Sequence, residues 1–287
     1  YNATDTWFLG NTLANSVALY NHGTHADYGS KYGANMFIPG VTFGSQGDQF
    51  LKNSKIYHPT DELSPMYKMK YFLDNSYESL TSNNILDTVG NTEAEKQQIK
   101  LFMKNMFLKK QAGTVLQPPS ASNDGATIGY AAEVMKEFNP ALTVVKIDGP
   151  DTCHSNFTNY LRAIHSADHA VGWLWNYIQT QIPAMAGETI IIATPDCGRN
   201  LNPNAILDTE NNFRSYDHSD ANTRRVFTLM AGKSINNEPD KATGALSATS
   251  PLNTDAAVTV GHILGIEQEM ISSGYLHPQS ESLIRKI

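Results

Sequence analysis

Leu142-Thr143-Val144-Val145-Lys146-Ile147, the helical run Phe157–Gln181 and Thr189-Ile190-Ile191-Ile192-Ala193 follow one another in strand–helix–strand order. β-Branched residues dominate both outer segments, which suits a pleated strand. The second is apolar from Ile190 to Ala193, as expected of a strand buried on both faces. Between them, Leu161, Ile164, Val171, Leu174, Trp175 and Ile178 fall on one stripe at helical spacing. The same alternation extends outward from residue 120, with a helix over Gly125–Phe138, a strand over Val226-Phe227-Thr228-Leu229-Met230 and a closing helix over Asp255–Leu264. That order predicts an α/β fold, a mostly parallel sheet sandwiched between helices.

Upstream the pattern is sparser. Thr92 and Glu95 form a capping-box pair opening a helix over Thr92–Lys110, with Ile99, Phe102, Met103, Met106 and Phe107 on its apolar face. Lys109, Lys110 and Gly113 supply the stop signal. Helical pattern is also expected near residues 61–80, and Val17-Ala18-Leu19-Tyr20 reads as a strand. The stretches Asn21-His22-Gly23-Thr24-His25 and Tyr28-Gly29-Ser30-Lys31-Tyr32-Gly33 read as loop.

With 287 residues, 40% hydrophobic and 17% charged, the chain can bury a substantial core, and no apolar run approaches the about 18 residues of a membrane-spanning helix. A net charge of −7 disfavours a nucleic-acid surface, which needs clustered Lys and Arg. Gly232-Lys233-Ser234 resembles the end of a phosphate loop, but Phe227 stands where its first glycine belongs. There is no Gly-x-Ser-x-Gly elbow, no His-Glu-x-x-His, no Cys-x-x-Cys and no dinucleotide fingerprint after a strand.

The chemistry concentrates in Asp151-Thr152-Cys153-His154, Pro195-Asp196-Cys197-Gly198-Arg199-Asn200 and Tyr216-Asp217-His218. Each puts a carboxylate beside an imidazole or a thiol, the donors that hold divalent transition metals. The first two follow predicted strands, where sites of open α/β sheets collect. Asp151 and Asp196 equally suit capping of the helices that follow them, and Asp148 rivals Asp151 as a ligand. Cys153 and Cys197 are the chain's two cysteines: either they bridge, or they stand unpaired with one on metal. His165 and His169 lie off the long helix's apolar stripe and read as solvated, whereas His22 and His25 can reach a site from their loop. His58, His262 and His277 have no supporting neighbours.

These residues in this order resemble the alkaline phosphatase superfamily, which includes arylsulfatases, nucleotide pyrophosphatases and cofactor-independent phosphoglycerate mutases. The family pattern is a strand, an Asp and a His a few residues apart, a helix with an Asp and a Gly, a strand ending in Asp-His-Gly, and a distant His. Here the matching elements are Asp151 with His154, Asp168 with Gly172, Thr189–Gly198, and His218, across roughly residues 120–270. The resemblance implies two divalent ions, zinc before manganese or calcium. One would be held by Asp151, His154 and His218, the other by Asp196 and Cys197. Paired ions about 4 Å apart suit in-line displacement at a phosphate or sulfate ester. Arg199, with its planar fork, is a candidate for the ester's tetrahedral oxyanion or for a nearby carboxylate.

Two departures qualify the resemblance. Cys197 stands where the family has His, and a thiolate donates more charge and weakens an ion's Lewis acidity. The family's earlier strand, ending in a metal-binding Asp before a Thr, Ser or modified Cys nucleophile, is not evident. Thr24 and Ser30 lack that strand–turn–helix setting, so the nucleophile is expected on a segment preceding Tyr1. The expectation is thus one alkaline phosphatase-like domain over residues 1–287, with 40–115 a variable insertion or cap, in the periplasm or secreted. Its function would be metal-dependent hydrolysis of a small phosphate or sulfate ester. A non-catalytic binding protein of the same fold and a phosphomutase-like transferase are the alternatives.

Overall fold

The computed structural model describes residues 5–11, 35–39, 92–119, 122–233, 235, 252, 254–274, 276 and 278–285. The chain divides into two compact units, Tyr1–Thr152 with Thr158–Pro183, and Cys153–Phe157 with Ala184–Ile287. The expected strand at Val17–Tyr20, the helix near 61–80 and the greater part of the expected 40–115 insertion lie outside the described residues. So do His22, His25, Thr24, Ser30, His58 and His277.

The first unit is built on a three-stranded parallel sheet in which β1 (Thr6–Gly10) lies between β2 (Asn35–Phe37) and β3 (Leu142–Lys146). Trp7 stands opposite Asn35 and Thr143, and Leu9 opposite Phe37 and Val145. β1, Thr-Trp-Phe-Leu-Gly, escapes sequence reading because a central strand shows no polar alternation and is too short to declare itself. Helix α1 (Glu93–Ala112) opens with the Thr92–Glu95 capping box and closes on left-handed Gly113 (φ 67°), as its sequence predicts. Its Ile99, Phe102 and Met106 are buried with Trp7, Phe8, Leu9, Phe37 and Ile38, and Phe107 packs against them; the Met103 side chain lies outside the described residues.

Helix α2 (Asn123–Phe138) closes this core with Tyr130, Ala131 and Val134. Trp7 lies 4.8 Å from Phe138 and 6.1 Å from Phe102, ring centre to ring centre, while Phe37 meets Tyr130 edge-on at 5.3 Å. Burial and then the charge of Glu133 push the Tyr130 hydroxyl up to about 12, so it stays protonated. Buried Glu133 is itself satisfied by Lys109 Nζ at 2.6 Å and the Leu116 amide at 3.1 Å.

The turn after β3 is held by Asp124, on the first turn of α2 and only 3% exposed. Its carboxylate accepts the Asn11 side-chain amide and the backbone N–H groups of Asp148 and Gly149, thereby tying the ends of β1 and β3 together. Gly149 is required here, because a Cβ would run into the Asp124 carboxylate. Asp124→Ala leaves these donors buried without an acceptor and is expected to cost about 2–3 kcal/mol, read as a lower urea midpoint with an unchanged slope.

Helix α3 (Phe157–Gln181) has the limits its sequence predicts. Its buried line runs through Ala167, Ala170, Leu174 and Ile178, whereas Leu161 and Ile164 from the expected stripe are exposed. Asp168, His165 and His169 are exposed on this helix, the two imidazole centres 4.5 Å apart.

In the second unit, β4 (Ile190–Ala193) pairs with β5 (Leu229–Gly232), and the pairing is antiparallel. This corrects the parallel arrangement expected for this stretch, and β4 is half-buried rather than buried. The chain leaves β4 at Ala193, makes a long excursion through residues 194–228 and re-enters from the same end, so β5 must run backwards. The β5 sequence also starts later than expected, at Leu229 in place of Val226. Helices α4 (Asp255–Ile263) and α5 (Glu267–Ser272) complete this unit. Asp255, fully buried, accepts the Leu252 and Glu281 amides, and His262 bonds Ser282 at 2.8 Å. The molecule is therefore α/β with parallel strands and helices, and no helix among the described residues is long and apolar enough to cross a membrane.

Candidate metal centre

The short 3-10 helix Gly149–His154 carries Asp151 and His154 one turn apart, so both project to one side. His218 arrives from far along the sequence, and a lattice of side-chain amides brings it there. Asn200 Oδ1 accepts the Ser219 and Asp220 backbone amides at 2.6 and 2.8 Å, and the Asn200 backbone N–H donates to the Asp217 carbonyl at 2.8 Å. Asp220 receives the Leu201 amide, and the Asn222 side chain donates to the Arg199 carbonyl. Gly198 makes this close approach possible, since a Cβ there would collide with the Arg225 and Thr223 carbonyls. The Tyr216 amide then bonds the Cys153 carbonyl at 3.0 Å, and Phe157 packs against Tyr216 and Phe213.

The outcome is one cluster in which the ligand atoms of Asp151, His154 and His218 all lie within 4.8 Å of one another. Among the described residues it is the one group of three or more such side chains that can hold a metal ion. The two imidazole centres stand 4.6 Å apart and nearly at right angles. Zinc–nitrogen bonds of about 2.0–2.1 Å put each ring centre about 3 Å from an ion, so two rings sharing one ion sit about 5 Å apart. Two neutral imidazoles and a carboxylate match the ligand number of catalytic zinc sites, which leave a fourth position open. The donor set fits a divalent ion.

Asp196 and Cys197 lie outside this group; the Asp196 carboxylate accepts the Cys197 amide at 2.9 Å. No disulfide joins the two cysteines; Cys153 is buried and Cys197 half-buried. Asp148, the rival to Asp151, is ion-paired with Lys146 and is likewise not in the group. Arg199 places Nη1 3.2 Å from His154 Nε2, at the edge of the cluster.

No family model, curated protein or solved structure matches the chain.

Asp217 is the residue that sequence reading passed over. It precedes His218 in the quoted stretch, yet its carboxylate faces His154, with Oδ1 2.8 Å from Nδ1. The His154 bond, and then one from Asn204, hold its carboxyl below the usual carboxylate range, so it is ionised at neutral pH and remains so into mild acid. Nothing in the sequence marks this pairing, which joins positions 154 and 217 through space. The asparagines at 200 and 204 were the available signal, as short amides that tie loops together without burying charge.

Proposed function

We propose that this protein is a metal-dependent hydrolase of phosphate or sulfate esters, of alkaline phosphatase-like fold. The observation that carries the reading is the convergence of Asp151, His154 and His218 on one point. When bound there, a divalent ion, zinc by preference, supplies Lewis-acid polarisation of an ester's phosphoryl or sulfuryl oxygen. Asp151 offsets part of the added charge, and the two imidazoles contribute neutral donors that leave the centre electrophilic. Arg199, beside His154, offers a planar pair of N–H donors to the remaining oxygens of a tetrahedral anion. Asp196 and Cys197 supply two more donors for a second ion. The attacking group, the small-molecule ester's leaving group and an export signal belong to the same proposal through the family resemblance.

The test is turnover of chromogenic phosphate monoester, phosphodiester and sulfate ester by the full-length protein, before and after chelation. Activity on one of the three should fall to background with chelator and return with zinc. Absence of turnover on all three by zinc-loaded protein would refute the hydrolase reading. Metal analysis reads the stoichiometry: one equivalent for the Asp151–His154–His218 group, two if Asp196 and Cys197 complete a second site.

A further inference from the structure

His154 is gripped from both ends. A carboxylate can only accept, so the 2.8 Å contact with Asp217 Oδ1 requires the hydrogen on Nδ1. A guanidinium can only donate, so the 3.2 Å contact with Arg199 Nη1 requires the lone pair on Nε2. Two unrelated partners therefore specify the same tautomer. Asp217 is itself held in place. Its backbone carbonyl receives the Asn200 backbone amide at 2.8 Å, and the Asn204 side chain beside its carboxylate favours the charged form. Asn204 donates to the His154 carbonyl at 3.1 Å, so the same side chain borders both members of the pair.

We infer that Asp217 is a positioning residue for the metal centre, locking His154 as the Nδ1–H tautomer so that Nε2 takes a divalent transition-metal ion in place of the Arg199 N–H it accepts in the metal-free protein. The inference rests on the ion-site reading above. A ligating imidazole whose other nitrogen donates to a carboxylate is fixed in orientation and made a stronger donor. His218 offers a ligand nitrogen to the cluster, while the preceding Asp217 orients the other imidazole. The tripeptide Tyr216-Asp217-His218 thus contributes to both imidazoles of the centre.

The experiment compares full-length wild type, Asp217→Asn and Asp217→Ala by titrating zinc against a colorimetric chelator. Melting of the metal-free proteins and long-range nitrogen–proton NMR of the histidine rings are recorded alongside. Asp217→Ala should lose about 10–100-fold in zinc affinity, with the His154 ring shifting toward the Nε2–H form. Asp217→Asn keeps an acceptor oxygen without the charge, so it should lose less and retain the wild-type tautomer. Unchanged zinc affinity in Asp217→Ala would overturn the inference, as would an Nε2–H tautomer in the wild type. A fall in zinc affinity that only tracks a fall in melting temperature across both variants would also overturn it, by making the role structural. Wild type whose zinc affinity depends on Asp217 but that turns over no ester upholds this role and refutes the hydrolase. Wild type that binds no zinc refutes both.

Discussion

His154→Ala and His218→Ala should each lower zinc affinity by more than about 100-fold, since loss of an outer hydrogen-bond partner alone costs about 10–100-fold. Neither residue belongs to the packed interior: His154 is half-buried and His218 exposed. Their removal therefore takes away a ligand without opening a cavity, and far-UV circular dichroism should stay at the wild-type value. Ester turnover at limiting zinc should fall in parallel. His165→Ala is the matched control, because His165 lies on α3 outside the ligand group and its loss should leave zinc affinity unchanged. If the two site variants hold zinc as tightly as the control, the site is wrong.

Trp7→Ala should destabilise the protein by about 3–5 kcal/mol. Trp7 is fully buried on β1, the central strand of its sheet, and meets Phe102 from α1 and Phe138 from α2. Truncating it removes the largest side chain of the first unit's core and leaves a void that two helices and a sheet border. The cavity cannot collapse without moving all three, so the upper half of the range is expected. Against a total of about 5–15 kcal/mol, that is a large fraction of the stability available. Thermal unfolding should shift down by about 10 °C. A shift under 2–3 °C (~1 kcal/mol) would mean that Trp7 is not the keystone of this core.

Helices were the most legible part of the fold. The limits of α3 and the capping box and glycine stop of α1 follow from local chemistry, because a helix satisfies its own backbone and announces its ends through the residues that cap it. Strands were less so. β3 was foreseen one residue long, but β1 was missed and the direction of β5 against β4 was misjudged. A strand's partner lies elsewhere in the chain, and an apolar run of four or five residues carries no mark of which neighbour it will bond or in which direction.

The same division runs through the site. Residue type together with the family pattern nominated Asp151, His154 and His218, since carboxylates and imidazoles in short loops are a restricted set of donors. Which donors share a point was decided by loop closure: Asn200, Asp220 and Asn222 fix the path of residues 199–222, and Gly198 allows its backbone to come close enough. That path brought His218 to His154, left Asp196 and Cys197 outside the cluster and turned Asp217 onto the imidazole. The amino-acid order by itself determined the helices and the available ligands, because both depend on interactions within a few residues. Only the tertiary structure decided strand pairing and the choice among ligands, because hydrogen bonds between distant segments set those, and their geometry has no local signature.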